Sequence, residues 1–564
     1  MDYNVPGVYV EEVSTIPPSV AGVATAIPAF VGYTEKALDK NGTSFPASEV
    51  VIRRVDTMLE YEQYFGSKPR YARFSMTSDG TLQRKQADGT TDAAELHTHL
   101  MYYALRMYFD NGGGSCYIVS VARYDADATG AVISTTDGNT AIQNGIQKLE
   151  EFDEPTLLVL VDAANLAPAD YYARCVQVLN QCGELKDRFG IFDVLSSDTD
   201  ATLFRQNIGS NHLKYGAAYL PYLKTSYSYQ YEDKDVDVAA AILQYNSGAN
   251  GFQVSYLASN VGAITPKVTV NKSTDDIPVA FTLVNSSTDI SLTIDVGSTT
   301  KAVDVVNAWA AYTGDRAGYS ILQVGDGSKT VVSKAVTDLA NPSPNTLSLA
   351  DIKENFTALY NQIINTIRDQ RVILPASAAV AGIYAAVDRD RGVWKAPANV
   401  SISSVIEPTT KVTNAQQGRL NVDATSGKSI NVIRSFTGRG TLVWGARTLA
   451  GNDNEWRYVN VRRLFNYMEE SIQKASAFVV FEPNTATTWL KVKGLIESFL
   501  YGLWQQGALA GATPEAAYFV NVGLGKTMNS QDVLEGKLIV EVGAAAARPA
   551  EFVVLRFMHQ LQES

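Results

Sequence analysis

The sequence predicts a mixed α/β fold: an α/β core interrupted by a β-rich insertion and flanked by two extended, strand-like arms. Three observations carry that prediction. Short apolar runs of strand character alternate with amphipathic helical stretches on both sides of the middle, the pattern of a mixed or parallel sheet covered by helices. From about residue 247 to 347 the composition shifts to Ser, Thr, Val and Asp, with period-two runs such as Lys267–Asn271, Val279–Val284 and Ile290–Asp295. The two ends, Met1–Val13 and Arg548–Phe557, each read as a strand with no hairpin partner nearby, so their partner edges include those of other copies of the chain.

Taken in order, Pro17–Gly22 is a turn-rich joint leading into an apolar strand, Ala26–Tyr33. Tyr61, Tyr64 and Phe65 pattern a short helix that stops at Gly66. Residues 67 to 90 form a small insertion with a hairpin signal at Ser78-Asp79-Gly80. Asp92–Asp110 is expected to be one helix, with Leu96, Leu100, Ala104 and Tyr108 on one face, ended by Gly112-Gly113-Gly114. Strands are expected at Cys116–Ala122, Thr156–Val161, Phe189–Leu195 and Ala217–Leu223, and a helix at Tyr171–Leu185. After the insertion, Leu349–Gln370 reads as a helix and Leu374–Pro408 as irregular. Helices follow at Asn460–Ala475 and Thr487–Gln505, with a strand, Phe478–Phe481, between them. Ala517–Val522 and Lys537–Val542 make a closing hairpin, and the small residues Gly543–Ala547 a flexible joint before the last arm. The expected division is therefore residues 1–22 as an N-terminal arm, 23–246 and 348–547 as the two parts of the core, 247–347 as the inserted outer domain, and 548–564 as a C-terminal arm.

At 564 residues, 46% hydrophobic and 19% charged, the chain is long enough for several domains with large cores. A net charge of -12 with no basic tract excludes a nucleic-acid scaffold, because neutralising phosphates needs clustered Lys and Arg. Three cysteines make no disulfide framework; Cys175 and Cys182 share a helix face about two turns apart, and buried free thiols are expected. There is no basic-then-apolar leader and no apolar run long enough to span a bilayer. A soluble protein made in the cytoplasm is expected, with no direct membrane insertion.

No motif makes a credible active site. Gly523-Leu-Gly-Lys-Thr527 ends like a phosphate-binding loop, but the required glycine is absent, Val520 standing in its place. Gly112–Gly114 follows a helix and precedes a strand, the reverse of a dinucleotide-binding turn. His97 and His99 are spaced to point to different sides of a helix, unlike a metal-binding pair. The alternating charges of Asp388–Gly392 and Glu455–Arg457 suit a salt-bridged loop or an interface better than a catalytic dyad. The chain is read as not an enzyme, with no cofactor and no metal.

Several short stretches nevertheless occur in an order that is specific. They are Pro6–Glu12, Thr25–Tyr33, Phe109–Gly113, Arg391–Asn399, Leu442–Leu449, Glu455–Arg463, Phe481–Asn484, Gly507–Gly511 and Pro549–Phe552. By these the chain resembles the tail sheath proteins of contractile phage tails and of phage-tail-like contractile injection systems. Residues 247 to 347 carry no matching stretch. The resemblance implies a structural subunit of a helical homopolymer of six-fold rings around an inner tube, with baseplate and terminal cap proteins as further partners and no nucleic acid. It implies that terminal arms add strands to a sheet in neighbouring subunits. Those roles fall on Gly7, Val8, Tyr9, Val10, Glu11, Glu12 and Val13, and on Glu551, Phe552, Val553, Val554, Leu555, Arg556 and Phe557. A helix of the C-terminal core is implied to touch the inner tube, and Lys491, Lys493, Glu497 and Tyr501 are the candidates. A particle assembled in the bacterial cytoplasm follows, either an injection particle or, alternatively, a phage tail; a nucleotide-binding enzyme is the remote alternative.

Overall fold

The computed structural model describes residues 20–67, 73–76, 82–85, 96, 99–124, 132–133, 137–238, 241–258, 265–286, 288–339, 347–353 and 357–552. The expected arm Gly7–Val13, the Pro17-Pro18 joint, the Ser78-Asp79-Gly80 turn, His97 and Val553–Phe557 lie outside the described residues.

The centre is a ten-stranded mixed sheet. Its strands are β1 (Pro28–Thr34), β2 (Val51–Val55), β3 (Cys116–Tyr124), β4 (Leu157–Leu160), β5 (Phe189–Asp193), β6 (Gly216–Leu220), β7 (Val400–Ser401), β8 (Asn431–Phe436) and β9 (Gly440–Val443). They run in the order β2-β3-β1-β4-β5-β6-β8-β9-β7, and the short strand Val132–Ile133 pairs with β3. The pairs from β3 through β1, β4, β5 and β6 to β8 are parallel, while β2, β9 and β7 join antiparallel at the two sides. The last three strands come from beyond residue 399, so the sheet is assembled from both parts of the chain.

A strand buried on both faces reads as a continuous apolar run, and β4 (Leu157-Leu158-Val159-Leu160) is buried at every position. Its side chains alternate between two cores. Leu157 and Val159 join Phe30 and helices α1 (Met101–Asp110) and α4 (Ser377–Arg391) on one face. Leu158 and Leu160 join Ala29, Val31 and helices α2 (Gly138–Lys148) and α3 (Pro168–Leu185) on the other. The three cysteines are buried free thiols, and burial pushes each of them well above the usual thiol range, which keeps them protonated and unreactive. His99, stacked on Tyr124 at 4.3 Å between ring centroids, is a core residue.

Four expectations are corrected. The irregular stretch Leu374–Pro408 contains the fifteen-residue helix α4. Its residues from Ser377 to Tyr384 are all buried, so it has no polar face and its sequence shows no helical period. Gly382 lets it approach α1 closely, because a Cβ there would lie 2.5 Å from the Tyr108 carbonyl oxygen, and Gly392 (φ 86°) ends it. Of the helix expected over Asp92–Asp110, residues 92–95, 97 and 98 lie outside the described residues, Leu96, His99 and Leu100 are not helical, and the helix runs from Met101, where buried Asp162 accepts the backbone N–H groups of Leu100 (2.6 Å) and Tyr33 (2.7 Å) and fixes the entry. The single strand expected at Ala217–Leu223 is two, β6 and Leu223–Ser228, in different sheets. Phe478–Phe481 is no strand but a turn of 3-10 helix, Ala477–Val479, followed by a loop.

Residues 241–339 pack around a core of their own. A three-stranded sheet (Ala241–Asn246, Phe252–Ala258, Tyr319–Gln323) and a four-stranded one (Lys267–Lys272, Ala280–Asn285, Ile290–Val296, Lys334–Asp338) enclose Val254, Val268, Leu292, Ile294 and Val305 with helix Ala302–Ala311. At the root of this unit, the hairpin Arg73–Met76 and Leu82–Lys85 pairs with Val236–Val238.

The last part of the chain is joined to the sheet through a buried ion pair. Arg463, on helix α5 (Val459–Ala475), forks onto Asp388 of α4 at 2.5 and 3.0 Å and also donates to the Thr25 carbonyl at 2.8 Å. Both side chains of the pair are almost fully buried, at 3% and 4% exposed. Removing one partner of such a pair leaves a buried charge uncompensated. Asp388→Ala is expected to cost about 3 to 5 kcal/mol in urea unfolding, whereas Asp390→Ala, which breaks a pair exposed by 61 and 62%, costs less than about 1 kcal/mol.

Candidate assembly surface

After α5 the chain forms helix α6 (Ala486–Gln505) and the hairpin strands β10 (Tyr518–Val522) and β11 (Val540–Ala544). The hairpin register pairs Tyr518 with Ala544, Val520 with Val542 and Val522 with Val540. Val520 packs with Leu464, Met468, Val492, Ile496, Leu500 and Leu503, so one face of the hairpin is seated on α5 and α6. The Gly523–Thr527 segment is the turn leaving β10: the amides of Lys526, Thr527 and Met528 all donate to the Gly523 carbonyl. A loop closed on itself in this way presents no ring of free amides to a phosphate.

Among the described residues, β10 and β11 form a sheet of only two strands, with both outer edges unpaired. A two-stranded sheet is marginal on its own, and an open edge is a template for a further strand. Beside β11 lies a groove of about 930 Å³ walled by Met468 and Ile472 of α5, Val492 and Ile496 of α6, the loop Val479–Phe481, and Val540, Val542 and Ala544 of β11. No β10 residue lines it, so the groove opens along the free edge of β11. A strand added there, about 4.8 Å away, would cover the apolar side of both helices.

Three exposed apolar residues, Val480, Phe481 and Val542, line this groove, and others lie elsewhere on this part of the chain. Val480 is 66% exposed, Phe481 wholly so, and Phe519 and Val542 are half-exposed. More than half of the exposed large apolar side chains among the described residues fall between Val480 and Phe552. Phe481 also holds a left-handed backbone (φ 72°), unusual for a bulky residue. The loop is kept in place by Asn484, which donates to the Lys537 carbonyl (2.9 Å) and accepts from Trp489 Nε1 (2.6 Å).

The sequence-derived candidates lie on two sides of this part. Lys491, Lys493, Glu497 and Tyr501 are on α6 but not in the groove; Lys491 and Tyr501 are exposed, and Lys493 meets Glu497 at 3.5 Å. Glu551 and Phe552 are described, and neither is in a strand. Glu551 is gripped by Arg447, whose Nη2 lies 2.6 Å and Nε 3.0 Å from its two oxygens, and it accepts further bonds from Asn421 Nδ2 (2.7 Å) and Tyr458 Oη (3.2 Å). Burial alone would raise this carboxyl, but the Arg447 and Asn421 hydrogen bonds and the Arg447 charge outweigh it and hold it below the usual range. Gly543–Ala547, expected to be a joint, is tied down: Ala510 N–H donates to the Ala545 carbonyl (2.7 Å) and Ala547 N–H to that of Ala508 (3.1 Å). Among the described residues no His/Cys/Asp/Glu cluster could hold a metal ion, and no helix is long and apolar enough to cross a membrane.

Residues 288–449 match the phage tail sheath protein central domain and residues 451–559 the phage tail sheath C-terminal domain. In fold and in sequence the chain is similar to the tail sheath proteins of contractile phage tails and phage-tail-like injection systems. The match begins at residue 288, inside the stretch where no motif was found in the sequence. The tail sheath protein of Enterobacteria phage T4 is 26% identical over 238 residues, covering 40% of this chain and 34% of that protein. The chain thus spans about a third of the length of the curated relatives it matches. Two solved structures are alike end to end. The sheath complex of the extracellular contractile injection system PVC, in its contracted state, is 25% identical, with 100% of this chain and 99% of that one covered and a TM-score of 0.52. The contracted helical sheath of the anti-feeding prophage is 27% identical, with 99% of both covered and a TM-score of 0.52.

The exposed ring of Phe481 makes few contacts within its own chain. Phe481→Gly is expected to leave the melting temperature within about 2 °C of the parent, since it removes no buried area and relieves the backbone, while lowering the yield of assembled particles in sedimentation.

Proposed function

We propose that the chain is the structural subunit of a contractile sheath, which polymerises around an inner tube and contracts to drive that tube through a target envelope, in a phage-tail-like contractile injection system. The observation that carries this reading is the end-to-end likeness to two injection-system sheaths. The open two-stranded sheet beside an apolar groove supports it, because it suits strand addition from another copy. On this reading Gly7–Val13 and the segment that follows Glu551, Phe552 to Phe557, supply strands to the β10–β11 sheets of neighbouring subunits, while Glu551, expected as part of that arm, stays with its own chain in the grip of Arg447. Baseplate and terminal cap proteins close the polymer, and assembly takes place in the bacterial cytoplasm.

The exposed side of α6, with Lys491, Lys493, Glu497 and Tyr501, is the proposed tube-facing surface. The unit formed by residues 247–347 is the proposed exterior decoration, a role suited by its separate core. Contraction exchanges one packing of subunits for another. A gain on the order of a few kcal/mol per subunit becomes large when summed along a tube, provided that the strand-paired arms stay engaged as the subunits turn.

Electron microscopy of the full chain, co-expressed with the neighbouring tube gene, is expected to show regular hollow tubes. Deletion of residues 1–13 is expected to abolish them and leave a folded monomer. Tubes of normal length from the deletion, or none from the full chain, would sink the reading.

A further inference from the structure

The pocket that holds Glu551 is tied to the central sheet. The Arg447 side chain is only 5% exposed. Its backbone is clamped by Asn431 of β8, which accepts from Arg447 N–H and donates to the Arg447 carbonyl, both at 2.8 Å, and also reaches the Ala218 carbonyl on β6 at 3.3 Å. Arg447 Nη1 further donates to the Asn421 carbonyl at 3.2 Å. Three of the stretches that carry the sheath resemblance, Leu442–Leu449, Glu455–Arg463 and Pro549–Phe552, supply Arg447, Tyr458 and Glu551, and so meet at one carboxylate. Upstream, Ala545 and Ala547 are bonded to Ala508–Ala510. Phe552, the last described residue, is 71% exposed.

We infer that the Glu551 carboxylate in the Arg447 pocket is the anchor that fixes, within one chain, the root of the C-terminal segment. Load passed along that segment by a second copy then ends on this ion pair and, through Asn431, on the central sheet. The load-bearing part rests on the sheath reading; the anchor itself does not. A guanidinium holding both carboxylate oxygens resists sliding in the plane of the pair. Withdrawal of Glu551 would leave Arg447 buried without its counter-charge. The segment is therefore held to its own chain as far as Glu551, past the small-residue run.

The test is native-state proteolysis of the full chain, unassembled, by thermolysin, with mass spectrometry counting products cut before Phe552. Cleavage there requires Glu551 to leave its pocket. Glu551→Ala is expected to raise its rate about tenfold or more relative to cleavage at sites within the core, which corrects for any fall in global stability from the uncompensated Arg447. Arg447→Ala should do the same, and the double variant should be no faster than the singles, since both act through one contact. An unchanged rate in Glu551→Ala, or additive effects in the double variant, would overturn the anchor. A parent rate that falls as protein concentration rises would also overturn it, by showing that the pocket is filled by a second copy. Assembled Glu551→Ala particles as long and as shear-resistant as the parent would overturn the load-bearing role. If the parent makes no tubes, the sheath reading fails, and the proteolysis still decides the anchor.

Discussion

Arg463 holds the two halves of this molecule together. Its guanidinium meets Asp388 on α4 and the Thr25 carbonyl just before β1, and it lies 4.7 Å from the centre of the Tyr384 ring. Tyr384 in turn shares a 2.7 Å hydrogen bond with Tyr219 on β6. One side chain of α5 thereby touches the start of the described chain, a helix of the core and, at one remove, the central sheet. The pair is fully desolvated, so its worth lies less in net stability than in the cost of breaking it. α5 cannot shift against α4 without stranding a charge, and the groove and hairpin it supports inherit that rigidity.

The same helix fixes the N-terminal root. Val23 N–H donates to Ser471 Oγ at 3.2 Å, and Gly22 sits so close to Tyr467 that a Cβ there would collide with its hydroxyl. At the other end, Glu551 is held by Arg447. Both terminal segments thus leave from fixed points on one body, which also carries a sheet edge that is unpaired among the described residues. Buried charge pairs hold the roots, while the outer edge of β11 and the apolar loop at Val480 and Phe481 are left uncovered among the described residues.

Legibility in the sequence followed the range of the interactions. The closing hairpin and the helices Val459–Ala475 and Ala486–Gln505 were readable, because their partners are near in sequence or their apolar period is set by one buried face. α4 was missed because burial on all sides erases the period, although its alanine content and the Gly392 stop were signals in hand. Phe478–Phe481 was misread because four apolar residues look alike whether they enter a sheet or rim a groove. The candidate surface was legible only as a suspicion of unpaired strands. Which groove they suit, and that Val540, Val542 and Ala544 line it, depended on how the hairpin seats on two helices.

The sequence by itself determined the α/β class, the alternation that builds the central sheet and the family resemblance, all of which reside in local pattern and residue type. Only the tertiary structure decided that Asn421, Arg447, Tyr458 and Glu551 converge, that Thr25, Asp388 and Arg463 form one joint, and that β11 keeps an open edge beside an apolar groove. These depend on contacts between residues tens to hundreds of positions apart, whose meeting is set by the packing of whole elements and leaves no periodic trace in the chain.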